Sequence, residues 1–173
     1  MVLKFVGFLL VLASTTLIGI YLGSKESFRA MDLKEFKKAL IILKSEIEYL
    51  NSPLLEAMQN ISVKVEPPVS QVFMGMSKKM FCSESGDIYT FWQDAVLGNT
   101  KKTYLKKEDI GLILDFGKCL GHLDKNLQVN NIRFTIEQIE ERVAVLNIES
   151  AKSKKMYNSM GILSGLLICI IFI

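Results

Sequence analysis

Residues Leu120 to Gln128 read LGHLDKNLQ and hold the only histidine of the chain. Whether this stretch is a reaction centre or a hinge between helices decides what kind of protein to expect. Gly117 and Gly121 are four residues apart at the end of an apolar-periodic run. Glycine adopts the left-handed backbone that stops a helix at little cost, so Gly121 is the expected stop. Asp124 can accept from the backbone N–H of Leu127 and cap the next helix. Gln128 then lies one turn into that helix, and His122 is a partly exposed turn residue. Local chemistry explains the segment as a tight helix hairpin without catalysis.

The flanks carry helical periodicity. Before the hairpin, a helix from about Lys106 to Leu120 places Ile110, Ile113, Leu114 and Gly117 inward. After it, Ile132, Ile136, Ile139, Val143 and Leu146 step by four and three along one helix face. No breaker follows before Tyr157, so this helix can run on into the apolar end of the chain. Further out, Phe36, Leu40, Leu43, Ile47 and Leu50 form another stripe, with lysines and glutamates on the opposite face. Ser52 is the expected N-cap of the next helix, with Pro53 at its first position. Pro67 and Pro68 break the pattern, since neither fits a helix interior. Val69, Val72, Phe73, Met76 and Met80 form the following stripe. Asp87 caps a helix that ends at Gly98 and Asn99. No alternating strand pattern is present. The expected fold is all-α, an antiparallel bundle of about six helices.

Half of the residues are apolar, and the excess sits at the ends. Phe5 to Leu22 is an uncharged run of 18 residues, about the minimum for a membrane-spanning helix. A cleaved signal peptide competes, but the run outlasts a usual signal core and lacks a clear cleavage site. Tyr157 to Ile173 is an uncharged run of 17 residues. Within it, Gly161 and Gly165 have the small-xxx-small spacing that lets membrane helices approach closely. The expected division is therefore a transmembrane helix over 1–23, a helical-bundle domain over 24–156 and a second transmembrane helix over 157–173. Lys25, Arg29, Lys34, Lys37 and Lys38 follow the first run; Lys152, Lys154 and Lys155 precede the second. Basic residues near span ends favour the cytoplasmic side, so the middle domain of this two-pass protein is expected in the cytoplasm.

The chain offers little for catalysis. It has no phosphate-binding loop of the GxxxxGK[ST] form and no HExxH pair. Two pairs of acids, Glu108-Asp109 and Glu140-Glu141, fall where solvated helix surfaces are expected. Cys82, Cys119 and Cys169 show neither a disulfide framework nor zinc spacing and read as small buried hydrophobes. Met76, Met80 and Trp92 read as core. The lysine pairs are interleaved with acids and the net charge is only +3, so membrane lipid headgroups explain them better than nucleic acid does. No enzyme, metal or cofactor is expected.

The segment GKCLGHLDKNLQ, with the earlier STTLIGIYLG and LKSEIEYLNSPLLEAM, closely resembles the stage III sporulation protein AB family of endospore-forming bacteria. The resemblance covers essentially the whole chain. The family's junction usually reads LGxSDxxxQ; Leu120, Gly121, Asp124 and Gln128 match it, and Leu123 replaces the serine. With Gly117, these are the candidate interaction or structural residues, and Gly161 and Gly165 are the candidates for membrane helix packing. The resemblance implies a cytoplasmic helical domain like that of the inner-membrane platform proteins of type II secretion and type IV pilus machines. It also implies membership of the assembly joining mother cell and forespore. The implied neighbours are a secretion-type ATPase, stage III sporulation protein AA, and other membrane components of the same complex. A general membrane scaffold or signalling adaptor, self-associating as a homo-oligomer through residues 124–156, is the alternative.

Overall fold

The computed structural model describes residues 2–82, 86–121 and 124–171, with side chains described except at 2–5, 8, 169 and 171. His122 and Leu123 therefore lie outside the described residues. Among those described, the fold is all-α, with six α-helices and no strand: α1 (Val2–Ser45), α2 (Leu54–Lys64), α3 (Val69–Cys82), α4 (Ile88–Asn99), α5 (Lys107–Gly117) and α6 (Lys125–Ile171). The apolar ends are not separate helices. Each is continuous with a helix of the bundle, because no proline interrupts residues 2–45 or 125–171. Among the described residues no helix is long and apolar enough to cross a membrane.

The chain divides into two compact units, Arg29–Val143 and the pair Met1–Phe28 with Ala144–Ile173. In the first unit each consecutive pair from α2 to α5 packs together. Its core takes Leu33, Phe36, Leu40 and Leu43 from α1, Met58 and Ile61 from α2, and Val69, Val72, Phe73 and Met76 from α3. Trp92, Ile113, Phe116, Ile132 and Ile139 complete it. Four aromatic rings run through the centre: Phe36 to Phe73 at 6.2 Å, Phe73 to Trp92 at 5.5 Å and Trp92 to Phe116 at 5.6 Å between centroids. The last two pairs are edge-on, the arrangement the ring quadrupole favours. Trp92 Nε1–H donates to the Ile113 carbonyl at 2.8 Å, so the buried indole leaves no polar group unpaired. Met80 and Ile136, placed inward by their stripes, are only half-buried.

The α1 stripe holds as far as Leu43 and then fails. Residues Glu46–Leu50 form a π-turn that closes on Asn51 in the left-handed region, at φ 50°. The wider turn breaks the 3.6-residue period. Glu46, expected on the polar face, is buried; Ile47 is half-buried; Leu50, expected in the core, is 65% exposed.

In the second unit the two helix segments run antiparallel, with Gly19 against Gly161 and Gly23 against Lys154. A Cβ on Gly161 would lie 2.9 Å from the Thr15 carbonyl oxygen, and one on Gly19 would lie 2.6 Å from that of Tyr157. Backbone meets backbone here because the glycines carry no side chain.

Candidate functional site

The expected hairpin forms at the α5–α6 junction. Gly117 ends α5 and Gly121 adopts φ 88°. The Asp124 carboxylate Oδ1 accepts from Asn126 N–H at 2.8 Å and Leu127 N–H at 3.0 Å, capping α6. Gly117 and Leu120 are buried. A Cβ on Gly117 would fall 1.9 Å from Trp92 Cδ1, so the indole needs a glycine there. Gly121 and Gln128 instead line a surface cleft of about 320 Å³. The junction residues thus separate into a core pair, a cap and a cleft pair.

The rest of the cleft comes from the π-turn after α1 with the residues that follow it, and from the starts of α2, α4 and α6. Ile47, Leu54 and Ile88 form its apolar side; Asn51, Ser52 and Lys125 join Gln128 on the polar side. Glu46 organises this wall. Its carboxylate accepts from Ser52 Oγ at 2.7 Å and Asn60 Nδ2 at 3.2 Å, and its carbonyl accepts from Ser52 N–H at 3.1 Å. Ser52 is therefore not the N-cap of α2. That position falls to Pro53, and the serine hydroxyl serves the buried glutamate instead.

A second polar cluster corrects the reading of Asp109 as a solvated acid; its neighbour Glu108 is exposed as expected. Asp109 is fully buried at 0% exposure. Arg29 grips it with two bonds, Nε to Oδ2 at 2.6 Å and Nη2 to Oδ1 at 2.9 Å. Arg142 Nη1 adds a bond at 3.1 Å and the Lys106 backbone N–H one at 2.9 Å. The last is one half of a capping box at the start of α5. Burial alone would push the Asp109 carboxyl up; the Arg29 guanidinium, the Lys106 N–H and Arg142 outweigh it and hold the carboxyl below its usual range. One turn along α1 from Arg29, Asp32 accepts from the Tyr104 N–H at 2.7 Å. Burial pushes the Asp32 carboxyl up, against that single bond. Arg29 thus pins the first turn of α5 to α1, and Asp32 pins the α4–α5 connection there. Of these, only the acid in the first turn of α5 has a sequence signal, the capping-box position. The partnership with Arg29 and Arg142 depends on residues far away in the chain. Glu140 and Glu141 are exposed, and Glu140 accepts from Lys37 at 3.2 Å.

Among the described residues no group of three or more His, Cys, Asp or Glu could hold a metal. Cys82, expected to be buried, is exposed, and Cys119 is half-buried. Cys82 ends α3 and its side chain is left uncovered there. Gly165, one turn beyond Gly161, also faces α1: a Cβ on it would lie 2.5 Å from Thr15 Oγ1. Gly161 and Gly165 therefore pack within the chain, Gly161 against Thr15 and Gly19 and Gly165 against Thr15 and Leu12, while Gly23, four residues beyond Gly19, packs against Lys154 and Tyr157.

The sequence matches the family described as Stage III sporulation protein AB (spore_III_AB) over residues 4–173. It is 28% identical over 169 residues to a stage III sporulation protein AB of Bacillus subtilis (strain 168), covering 98% of both chains. A solved structure of a stage III sporulation protein AB, 26% identical, superposes with a TM-score of 0.65 over 70% of this chain and 95% of that one. Family match, full-length relative and shared fold agree: the chain belongs to the stage III sporulation protein AB family.

Proposed function

We propose that the chain is a non-enzymatic membrane platform of a sporulation-specific, secretion-like complex between mother cell and forespore. Its helical unit stands in the mother-cell cytoplasm and docks a secretion-type ATPase, stage III sporulation protein AA, coupling it to a trans-envelope channel. ATP chemistry belongs to that partner.

The observation carrying this reading is how the two apolar ends are built. They pair through glycines, which leaves Leu9, Leu10, Leu17, Leu163, Leu166 and Leu167 outward and exposed. The hydroxyls within them are satisfied by their own helices: Ser14 and Thr15 donate to the Val11 carbonyl, Thr16 to that of Leu12, and Ser164 to that of Gly161. Polar groups paired inside the helix and apolar side chains outside suit a lipid surrounding. Uncharged runs of 18 and 17 residues followed or preceded by lysines, each run taking in residues outside those whose side chains are described, support two spans and a cytoplasmic unit.

The test is topology. A single cysteine replaces Asn99 in a background without Cys82, Cys119 and Cys169, and intact cells are treated with a membrane-impermeant maleimide. Protection until the membrane is opened, followed by co-purification of the ATPase, is the expected result. Labelling in intact cells overturns direct ATPase docking. Exposed Leu127 and Phe134 on α6 favour a second reading, self-association through that helix. A concentration-dependent mass in sedimentation, abolished by Phe134→Ser and independent of the ATPase, is its mark.

A further inference from the structure

The cleft of about 320 Å³ at the α1–α2 and α5–α6 end of the helical unit has the anatomy of a protein docking site. Apolar Ile47, Leu54 and Ile88 lie beside polar Asn51, Lys125 and Gln128. An apolar centre with a polar rim is how recognition surfaces are organised. The π-turn makes it. A regular helix would turn Leu50 into the core. Instead Tyr49 and Leu50, between the lining residues Ile47 and Asn51, stand 74% and 65% exposed. Uncovered large apolar side chains beside a cleft mark an interaction surface, and π-turns recur at functional sites. The turn is firmly held, because buried Glu46 is bonded to Ser52 and Asn60.

Charge selects the occupant. Lys125 is the one charged side chain among the described residues lining the cleft, and no carboxylate lies beside it there. Its ammonium bonds the Asn51 side-chain oxygen, and no carboxylate is among the described residues lining the cleft. We infer that this cleft is the docking site for the cytoplasmic partner, and that it accepts an apolar side chain closely followed by a carboxylate on a protein segment. The apolar group fills the space between Ile47, Leu54 and Ile88. The carboxylate meets Lys125, and the Asn51 and Gln128 amides bond its neighbouring backbone. Tyr49 and Leu50 extend the contact beyond the cleft. This inference rests on the platform reading, since the ATPase is the partner that supplies the segment.

The experiment uses the full chain in detergent micelles and the purified ATPase, with affinity measured at low and moderate salt. Leu50→Asp removes apolar contact at an exposed position. Lys125→Gln removes the rim charge. Phe81→Ser and Phe134→Ser alter exposed apolar residues elsewhere on the unit. Thermal unfolding is recorded for each. The expected result is a loss of affinity of about tenfold or more for Leu50→Asp, a weaker salt dependence for Lys125→Gln, and unchanged binding by the other two. Wild-type binding that all four variants share overturns the cleft and leaves the platform reading standing. No wild-type binding overturns both.

Discussion

Gly117 lies under the indole of Trp92 so closely that a single added carbon would fall 1.9 Å from Cδ1. The last turn of α5 and the middle of α4 meet at that point, and the Trp92 bond to the Ile113 carbonyl fixes the ring there. Gly117→Ala should therefore destabilise the helical unit by about 1–3 kcal/mol, since the ring must move and break its packing against Phe73 and Phe116. Trp92 is the only tryptophan, so its fluorescence during urea unfolding reads the change directly. An unchanged midpoint would show that the close approach is absent.

The Arg29–Asp109 pair should be costly to break. Arg29→Ala leaves a fully buried carboxylate short of two bonds and should cost about 3–5 kcal/mol. Asp109 binds its proton less readily when folded, so the unfolded chain holds more protons as the pH falls below about 4. The stability it contributes is present above that range and lost as pH drops through its lower folded value. Asp109→Asn should flatten this acid limb in denaturation measured across pH.

Asp32 carries the opposite sign. Its folded carboxyl is raised, so ionisation at neutral pH works against folding, and its contribution falls as pH rises from about 4 through the folded value. Asp32→Asn keeps an acceptor for the Tyr104 N–H and removes the buried charge. Its unfolding midpoint at pH 7 should equal or exceed the wild type's.

At the hinge, Asp124→Ala should cost about 1 kcal/mol through loss of the α6 cap, and Asp124→Asn much less. Equal unfolding midpoints for wild type and the alanine variant would contradict the two bonds to Asn126 and Leu127.

Along α1, the π-turn separates two leucines that the periodic pattern treats alike. Leu43→Ala removes a fully buried side chain and should cost about 2–5 kcal/mol, whereas Leu50→Ser should be within about 0.5 kcal/mol of neutral. A large loss at Leu50 would mean that the helix continues regularly.

For the glycine face, Thr15→Cys with Gly165→Cys, in a background lacking the native cysteines, should form an intramolecular disulfide on mild oxidation, because the two sites are in contact. A non-reducing gel separates this from crosslinked dimers, which would place the glycines between copies.

The hinge was legible because it is local chemistry. A glycine that accepts positive φ and an aspartate three residues before an orphan N–H act within a few residues of each other. The helix stripes were legible for the same reason: burial of one face repeats every turn. Of the acidic pair Glu108-Asp109, Glu108 is exposed as expected and only Asp109 was misread, because spacing cannot tell a solvated carboxylate from one gripped by arginines distant in the chain. The candidate site was only half visible. Gly121 and Gln128 stood out in the junction, but their cleft partners Ile47, Asn51 and Leu54 lie more than a helix away in sequence.

Sequence by itself determined that this chain is helical, that a turn through Gly121 and an Asp124 cap separate α5 from α6, and which apolar ends it carries, since turn chemistry, periodicity and hydropathy are properties of neighbouring residues; α5 itself ends at Gly117, three residues before the expected Leu120. Only the tertiary structure decided that Asp109 is buried between two arginines, that α1 widens into a π-turn around Glu46, and that Gly161 and Gly165 meet Thr15 and Gly19. Each of these depends on which distant groups arrive to satisfy a charge, an orphan bond or a gap, and packing alone brings them there.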